Sequence, residues 1–263
     1  LQSDTLEHLL FMNNLSQPAD HSDSLAVSEK QTIAIVGAGI CGLCCGLALA
    51  KQGHQVTLYE RDAPLPDGNP DDIFFNWVRR GAAQFKHPHA FLAVMSNLLE
   101  ELFPDLMPDF FEAGARKITF QDMLSPKLKS KYRSKTGDEK LWLLMCRRAT
   151  MEMVLRRYAE KQSNLQIRSS TRVNSMIAKP LKGSIQLNGL KIQSTVSGAS
   201  EEEIFADIII DAGGRNSQFK QWFRLAGVPV LSEQDDAEIV YYTRHYQFLP
   251  GIDEPQRSGN TRS

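Results

Sequence analysis

Residues 32–60 carry the pattern that most restricts this chain: an apolar run, three glycines at set offsets, a helix-like segment and a closing acid. Ile33–Val36 predicts a β-strand, and Gly37, Gly39 and Gly42 follow it as Gly-x-Gly-x-x-Gly. Each glycine has a physical reason: a tight turn at Gly37, approach of a pyrophosphate to the backbone at Gly39, close packing of helix on strand at Gly42. The helix predicted over 41–52 opens with unpaired N–H groups and partial positive charge, so the Ile40–Cys41 backbone belongs to an anion site. Gly53 suits its C-terminus. Strand 56–60 ends on Glu60, whose carboxylate can accept hydrogen bonds from a ribose 2′-hydroxyl. Strand, glycines, helix, strand and acid in this order are far more specific than a lone glycine motif, and they indicate an adenine-dinucleotide site. On these residues alone NAD, NADP and FAD are equivalent.

Composition narrows the remainder. The 263 residues suit one large domain or two smaller ones, and 42% apolar content can furnish a core. A formal net charge of −1 argues against a nucleic-acid binder that relies on global charge. No apolar run approaches the roughly 20 residues of a membrane span. Residues 1–30 lack the regions of a secretory signal and read as a disordered leader. A cytoplasmic protein with reduced thiols is therefore expected. Cys41 and Cys44 form a Cys-x-x-Cys string, yet they fall in the glycine turn and first helical turn as small packing residues. With no second pair at zinc spacing, and His87 and His89 short of further ligands, no metal site is expected.

Further along, 62–72 is rich in Pro, Gly, Asn and Asp and reads as a loop. A polar and aromatic cluster, Trp77–His89, leads into a helix predicted over 90–102 and stopped by Pro104. Residues 117–124 predict a strand. Lys127, Lys129, Lys131, Arg133 and Lys135 alternate, which would put them on one solvated face of a strand. Cys146–Glu160 predicts an amphipathic helix with Met151, Val154, Leu155 and Tyr158 inward. A third parallel strand is expected at 165–168, then a small antiparallel meander over 171–205 with turns at Lys182-Gly183, Asn188-Gly189 and Ser197-Gly198. Residues 206–214 form a second unalternating apolar strand, expected to be buried on both faces, that ends in Gly213-Gly214 before a helix over 217–225. A glycine turn at the carboxyl end of a parallel strand lies where α/β sheets bind ligands.

Taken in order, four strings resemble the FAD-dependent monooxygenase superfamily, the para-hydroxybenzoate-hydroxylase-like enzymes, over about residues 31–248. They are Gly37–Gly42 with Glu60-Arg61; Arg80-Gly-Ala-Ala-Gln84-Phe-Lys-His87-Pro-His89; Cys146-Arg-Arg148; and Asp211-Ala-Gly-Gly-Arg-Asn-Ser217 with Trp222. The second and third resemble segments of one bacterial branch of flavin-dependent hydroxylase-like proteins. The resemblance implies FAD as cofactor and NAD(P)H as electron donor. It puts the Gly39–Gly42 backbone at the pyrophosphate, Glu60 at the ribose with Arg61 beside it, and Arg148 at the phosphate or ribose region. Arg80 and Gln84 would lie along the FAD-binding loop, with Asp211, Gly213 and Gly214 bordering the cleft. It implies a monooxygenase that reduces flavin with NAD(P)H and transfers oxygen from the C4a-hydroperoxide to an organic small molecule, the hard chemistry belonging to the cofactor. No catalytic residue is assigned.

The chain departs from that family in two ways. Gly213-Gly214 stands where the family has Asp-Gly, and no later Gly-Asp follows an apolar strand; Gly137-Asp138 sits in a polar loop. The expectation is therefore the N-terminal portion of a longer enzyme. Its fold class is α/β, a Rossmann-type FAD-binding domain with a parallel sheet and β-meander, plus the beginning of a mixed-sheet substrate domain. The expected division is 31–116 and 146–227 for the FAD-binding domain, and 117–145 and 228–263 for the partial substrate domain. An antiparallel strand at 238–248 would start the substrate sheet. Three rivals stay open: an FAD-dependent reductase of carbon–carbon double bonds, an NAD(P)-dependent dehydrogenase, and an inactive FAD-binding fragment.

Overall fold

A computed structural model describes residues 29–253, apart from Ala83, Gly183, Ala237 and Gln247. All but the last two residues of the expected leader, and the end of the expected substrate domain, lie outside the described residues. The first unit is β1 (Thr32–Val36), α1 (Ile40–Lys51) and β2 (Gln55–Tyr59). Gly53 follows α1 with φ +93°, the left-handed residue that lets the chain reverse into β2. Then come α2 (Pro70–Asn76), β3 (Pro88–Phe91), α3 (Ala93–Leu102), α4 (Met107–Glu112), β4 (Arg116–Thr119) and β5 (Trp142–Arg147). They are followed by α5 (Arg148–Glu160), β6 (Leu165–Arg168), β7 (Thr171–Leu181), β8 (Ser184–Ser194), β9 (Glu201–Phe205), β10 (Ile208–Asp211) and α6 (Phe219–Leu225).

Four parallel strands make the central sheet in the order β10-β1-β2-β6. Its strands alternate between two cores. Ile33, Ile35, Val56 and Leu58 point to one face, where they pack with α1, α2 and α5. Ala34 and Tyr59 point to the other and meet Leu190 and Ile192 of β8 and Phe219 of α6. The arrangement is therefore helices, parallel sheet, then the antiparallel sheet β7-β8-β9. A third sheet, β3-β5-β4, contributes the buried Trp142 and Leu144 to the first core.

Helix α1 buries Gly42, Leu43, Gly46, Leu47 and Ala50, one stripe at helical spacing. A Cβ at Gly46 would stand 3.0 Å from Leu58, so the small residue sets how closely α1 lies on the sheet. Helix α5 is buried along Ala149–Arg156 because other elements cover it on several sides.

Several expectations are corrected. The loop 62–72 ends early: Asn69 caps Asp71 and Asp72, Asp72 bonds back to the Asn69 N–H, and α2 starts at Pro70. The helix expected over 90–102 starts at Ala93, because Pro88–Phe91 pairs with β5. That same pairing claims Cys146 and Arg147 as strand, so α5 starts at Arg148. The strand over 117–124 stops at Thr119, whose capping box with Asp122 turns the chain into a short helix, Phe120–Met123. The alternating basic run is no strand either: Pro126–Lys129 is helical and exposed, and irregular chain follows. Asn188-Gly189 lies inside β8 rather than at a turn. The glycine is needed there because a Cβ would fall 2.2 Å from the Ile204 carbonyl oxygen of β9.

Strand β10 is only partly covered, since it is the edge of the parallel sheet, and its regular part spans just Ile208–Asp211. Among the described residues of 228–253 no strand forms. Among the described residues no neighbouring strand pairs with 238–248, and Ile239, Val240, Tyr241 and Tyr242 are exposed.

Candidate functional site

The carboxyl ends of β1, β2 and β10 open into one cavity of about 480 Å³. The two glycine turns stand side by side at its floor. The Ala212 N–H donates to Val36 O at 2.9 Å and the Gly37 N–H to Tyr59 O at 2.8 Å, which locks the first turn between both neighbouring strands. Gly37 has φ +100°, and a Cβ on it would lie 2.6 Å from Ala212 O. Gly42 is buried beneath the turn: its Cβ would lie 2.0 Å from Gly37 O. Gly39 is the opposite case, with open space where its Cβ would stand and the cavity in front of it.

Gly39 is also the N-cap of α1, extended at φ −78° and ψ −175°, with no side-chain cap and no acid in the first turn. The leading N–H groups and the positive end of the helix dipole are thus left for an anion. Ile40 and Cys41 line the same wall. On the far side Asp211 shapes the second turn: its Oδ1 accepts the Gly213 N–H at 2.9 Å and its Oδ2 accepts the Ser217 hydroxyl. Gly213 and Gly214 border the cavity there, with Trp222 of α6 beyond them.

Glu60, just after β2, is 6% exposed and sits in a buried network of charges. Its Oε2 accepts the Ala38 N–H at 3.1 Å and Arg79 Nη2 at 3.0 Å, with Arg156 Nη2 at 3.5 Å. Its Oε1 accepts only the Asp62 N–H, at 3.0 Å, among the described residues. That oxygen therefore keeps acceptor capacity, and Glu60 lines the cavity. Burial raises the Glu60 carboxyl, but Arg79, the Asp62 N–H and Arg156 outweigh it and hold it below the usual carboxylate range. Arg156 is pushed down to about 10 by burial and by Arg79, against the pull of Glu60 and Glu152. Its buried Nε has no acceptor among the described residues.

Arg148, at the start of α5, lines the cavity and donates from Nε to Glu152 Oε1 at 3.0 Å. The start of β7 adds Thr171 and Arg172, drawn in because the Thr171 N–H donates to Glu60 O at 2.8 Å.

Most residues expected at a dinucleotide site thus meet here: Gly37, Gly39, Ile40, Cys41, Glu60, Arg61, Arg148, Asp211, Gly213 and Gly214 line one cavity. Gly42 supports it from below. Arg80 and Gln84 do not reach it; both are exposed, and the neighbouring Arg79 enters instead. No signal in the sequence separates Arg79 from Arg80; in the structure Trp77 is buried, Val78 exposed, Arg79 buried and Arg80 exposed, the period of extended chain. Glu152, Thr171 and Arg172 were not anticipated.

All four cysteines are free thiols, and Cys44 is pushed up to about 12 by burial, Cys41 and Cys45. Among the described residues no group of three or more His, Cys, Asp or Glu side chains could hold a metal ion. No helix of the described residues is long and apolar enough to cross a membrane.

Removing Glu60 takes from the buried Arg156 the carboxylate it pairs with, and from the buried Arg79 one of its three. Glu60→Ala is expected to lower the unfolding free energy by about 3–5 kcal/mol. A chemical-denaturation midpoint that stays at the parent value would contradict the network.

Residues 32–71 match a family described as FAD dependent oxidoreductase. Protein Rv3254 of Mycobacterium tuberculosis is 26% identical over 240 residues, which cover 86% of this chain and 47% of the relative. The chain spans about half the length of that curated relative. The flavin-dependent monooxygenase PieE, solved in complex with FAD and substrate, aligns with a TM-score of 0.51 at 16% identity, over 75% of this chain and 32% of its own. The flavin-dependent halogenase CmlS gives a TM-score of 0.50 at 19% identity, over 76% of this chain and 32% of its own. The structural likeness is one of fold, an α/β fold with a parallel sheet similar to FAD-binding Rossmann-type flavoproteins. Similarity to FAD-dependent oxidoreductases rests on the family match over residues 32–71.

Proposed function

We propose that this chain forms the adenine-dinucleotide end of the FAD site in a flavin-dependent monooxygenase, which acts on an organic small molecule with NAD(P)H as electron donor. One observation carries the FAD reading: both glycine turns, Glu60 and Arg148 open into a single cavity at the carboxyl ends of parallel strands. The space in front of Gly39 fits a pyrophosphate, since any side chain at that position would fill the place the phosphates need. The monooxygenase reading draws on the sequence segments 80–89, 146–148 and 211–217.

The N–H groups at the start of α1 bind the pyrophosphate, with Gly39 allowing approach to the backbone. Glu60 Oε1 accepts a ribose hydroxyl, and its depressed pKa keeps it an acceptor at neutral pH. The Arg148 guanidinium adds charge and donors at the phosphate or ribose, with Arg61 at the rim. Val36, Val173 and Trp222 give the wall an apolar part that excludes water. When bound, FAD would supply the redox chemistry, electron transfer between a nicotinamide and oxygen. Arg80 and Gln84 have no part in this reading.

The test is an absorption spectrum of the purified chain after incubation with FAD and desalting, then NAD(P)H oxidation by the whole enzyme with dissolved oxygen recorded. Retained flavin bands and substrate-stimulated oxygen uptake are expected. A colourless protein sinks the FAD reading, and substrate reduction without oxygen uptake replaces the monooxygenase with a reductase.

A further inference from the structure

We propose that Arg79 is a positioning residue of this site, presenting Glu60 and, through Glu152, Arg148 to the bound dinucleotide; the inference rests on the dinucleotide reading above. The Arg79 side chain is 2% exposed and meets three carboxylates, each through a different nitrogen. Nη2 bonds Glu60, Nη1 bonds Asp62 and Nε bonds Glu152, all at 3.0 Å. The three acids come from the end of β2, the loop after it and α5, so one planar group ties together three segments that surround the cavity. Trp77 backs this group, with its ring centroid 5.1 Å from the guanidinium carbon of Arg79 and 5.0 Å from that of Arg156.

Two of the three acids shape the cavity wall. Glu60 has Oε2 held by Arg79, Arg156 and the Ala38 N–H, which fixes the plane of the carboxylate and leaves Oε1 as the oxygen with room for a ligand hydroxyl. Glu152 is fully buried and divides its oxygens between two arginines: Oε2 takes Arg79 and Oε1 takes Arg148. Arg148 therefore points where Glu152 holds it, and Glu152 is held by Arg79. Arginines 61, 79, 148 and 156 meet the acids 60, 62 and 152, four cations against three anions around this wall.

A lysine at 79 would keep the charge and lose the device. An ammonium is a point donor, whereas a guanidinium presents donors along three edges in a fixed plane. Burying such a network is not an economical way to hold a fold, because well-packed apolar residues do it at lower desolvation cost. What the network provides beyond that is direction for two groups at the binding surface.

The experiment compares the parent chain, Arg79→Lys, Glu152→Gln and the double variant. It reads FAD affinity by flavin fluorescence and ADP affinity by calorimetry, on protein shown to be folded by circular dichroism. Arg79→Lys is expected to weaken FAD binding about 10–30-fold and Glu152→Gln about tenfold. Because both act on Arg148 along one path, the double variant should be no more than about twofold worse than Arg79→Lys. Effects that simply multiply overturn the proposal, since a general loss of stability would not couple them. If Arg79→Lys does not fold, Glu152→Gln decides alone: its side chain has no exposed surface, and unchanged FAD affinity overturns the proposal. A parent chain that binds ADP but not FAD defeats the FAD reading and leaves Arg79 to be judged on the ADP affinities by the same criteria. A parent that binds neither overturns both.

Discussion

Gly42→Ala is expected to destabilise the fold by about 3 kcal/mol or more, the upper range for overpacking at a site that cannot give way. The added methyl would stand 2.0 Å from the Gly37 carbonyl oxygen and 3.4 Å from Ala212 Cβ, and the first of these contacts is with backbone. Relief requires moving the start of α1 away from β1. The turn resists that movement because it is bonded to both neighbouring strands, by Gly37 N–H to Tyr59 O and Ala212 N–H to Val36 O. For a protein of this size the cost corresponds to a fall of roughly 6–12 °C in Tm. A thermal midpoint within a degree of the parent would mean that helix and strand do not pack as described.

Gly39→Val should do the reverse, leaving the fold intact and removing the binding. The position is extended, with φ −78°, and nothing lies within 4 Å of its Cβ site, so no strain follows from the side chain itself. The valine methyls would fill the space in front of the α1 N-terminus and keep phosphate oxygens from the N–H groups. Loss of two charge-assisted hydrogen bonds at about 1.5–3 kcal/mol each reduces FAD affinity by more than about 100-fold. The thermal midpoint should stay close to that of the parent. Undiminished FAD affinity in this variant would remove the anion site from the start of α1. Measured together, the two substitutions separate the glycine that shapes the turn from the glycine that faces the ligand.

How much of this was legible in the chain depended on how local the determinants were. The β1-α1-β2 unit could be read because its signals lie within thirty residues, and each glycine answers a local backbone need. The second turn, at Gly213-Gly214, could be read for the same reason. The elements misjudged were those whose type is set by a distant partner. Cys146 and Arg147 continue a helical pattern in sequence, yet they pair with Pro88 and His89 as strand. Gly189 follows Asn188 like a hairpin turn, yet it is the point where β9 crosses close to β8. Residues 238–248 have the composition of a strand, and among the described residues no strand lies beside them.

The same division runs through the site. By itself the sequence determined the strand, the tight turn and the open helix N-terminus between β1 and Glu60, because these are consequences of adjacent residues. Which arginine reaches the cavity was decided only by the tertiary structure. Arg79 and Arg80 are equivalent as letters; in extended chain one must point inward and its neighbour outward, and the burial of Trp77 selects Arg79. The acids that Arg79 joins lie 17 to 73 positions away in the chain. Glu152 comes within hydrogen-bond reach through the packing of α5, and Glu60 and Asp62 through the chain that follows β2, since short-range charge assistance depends on distances that sequence spacing does not encode.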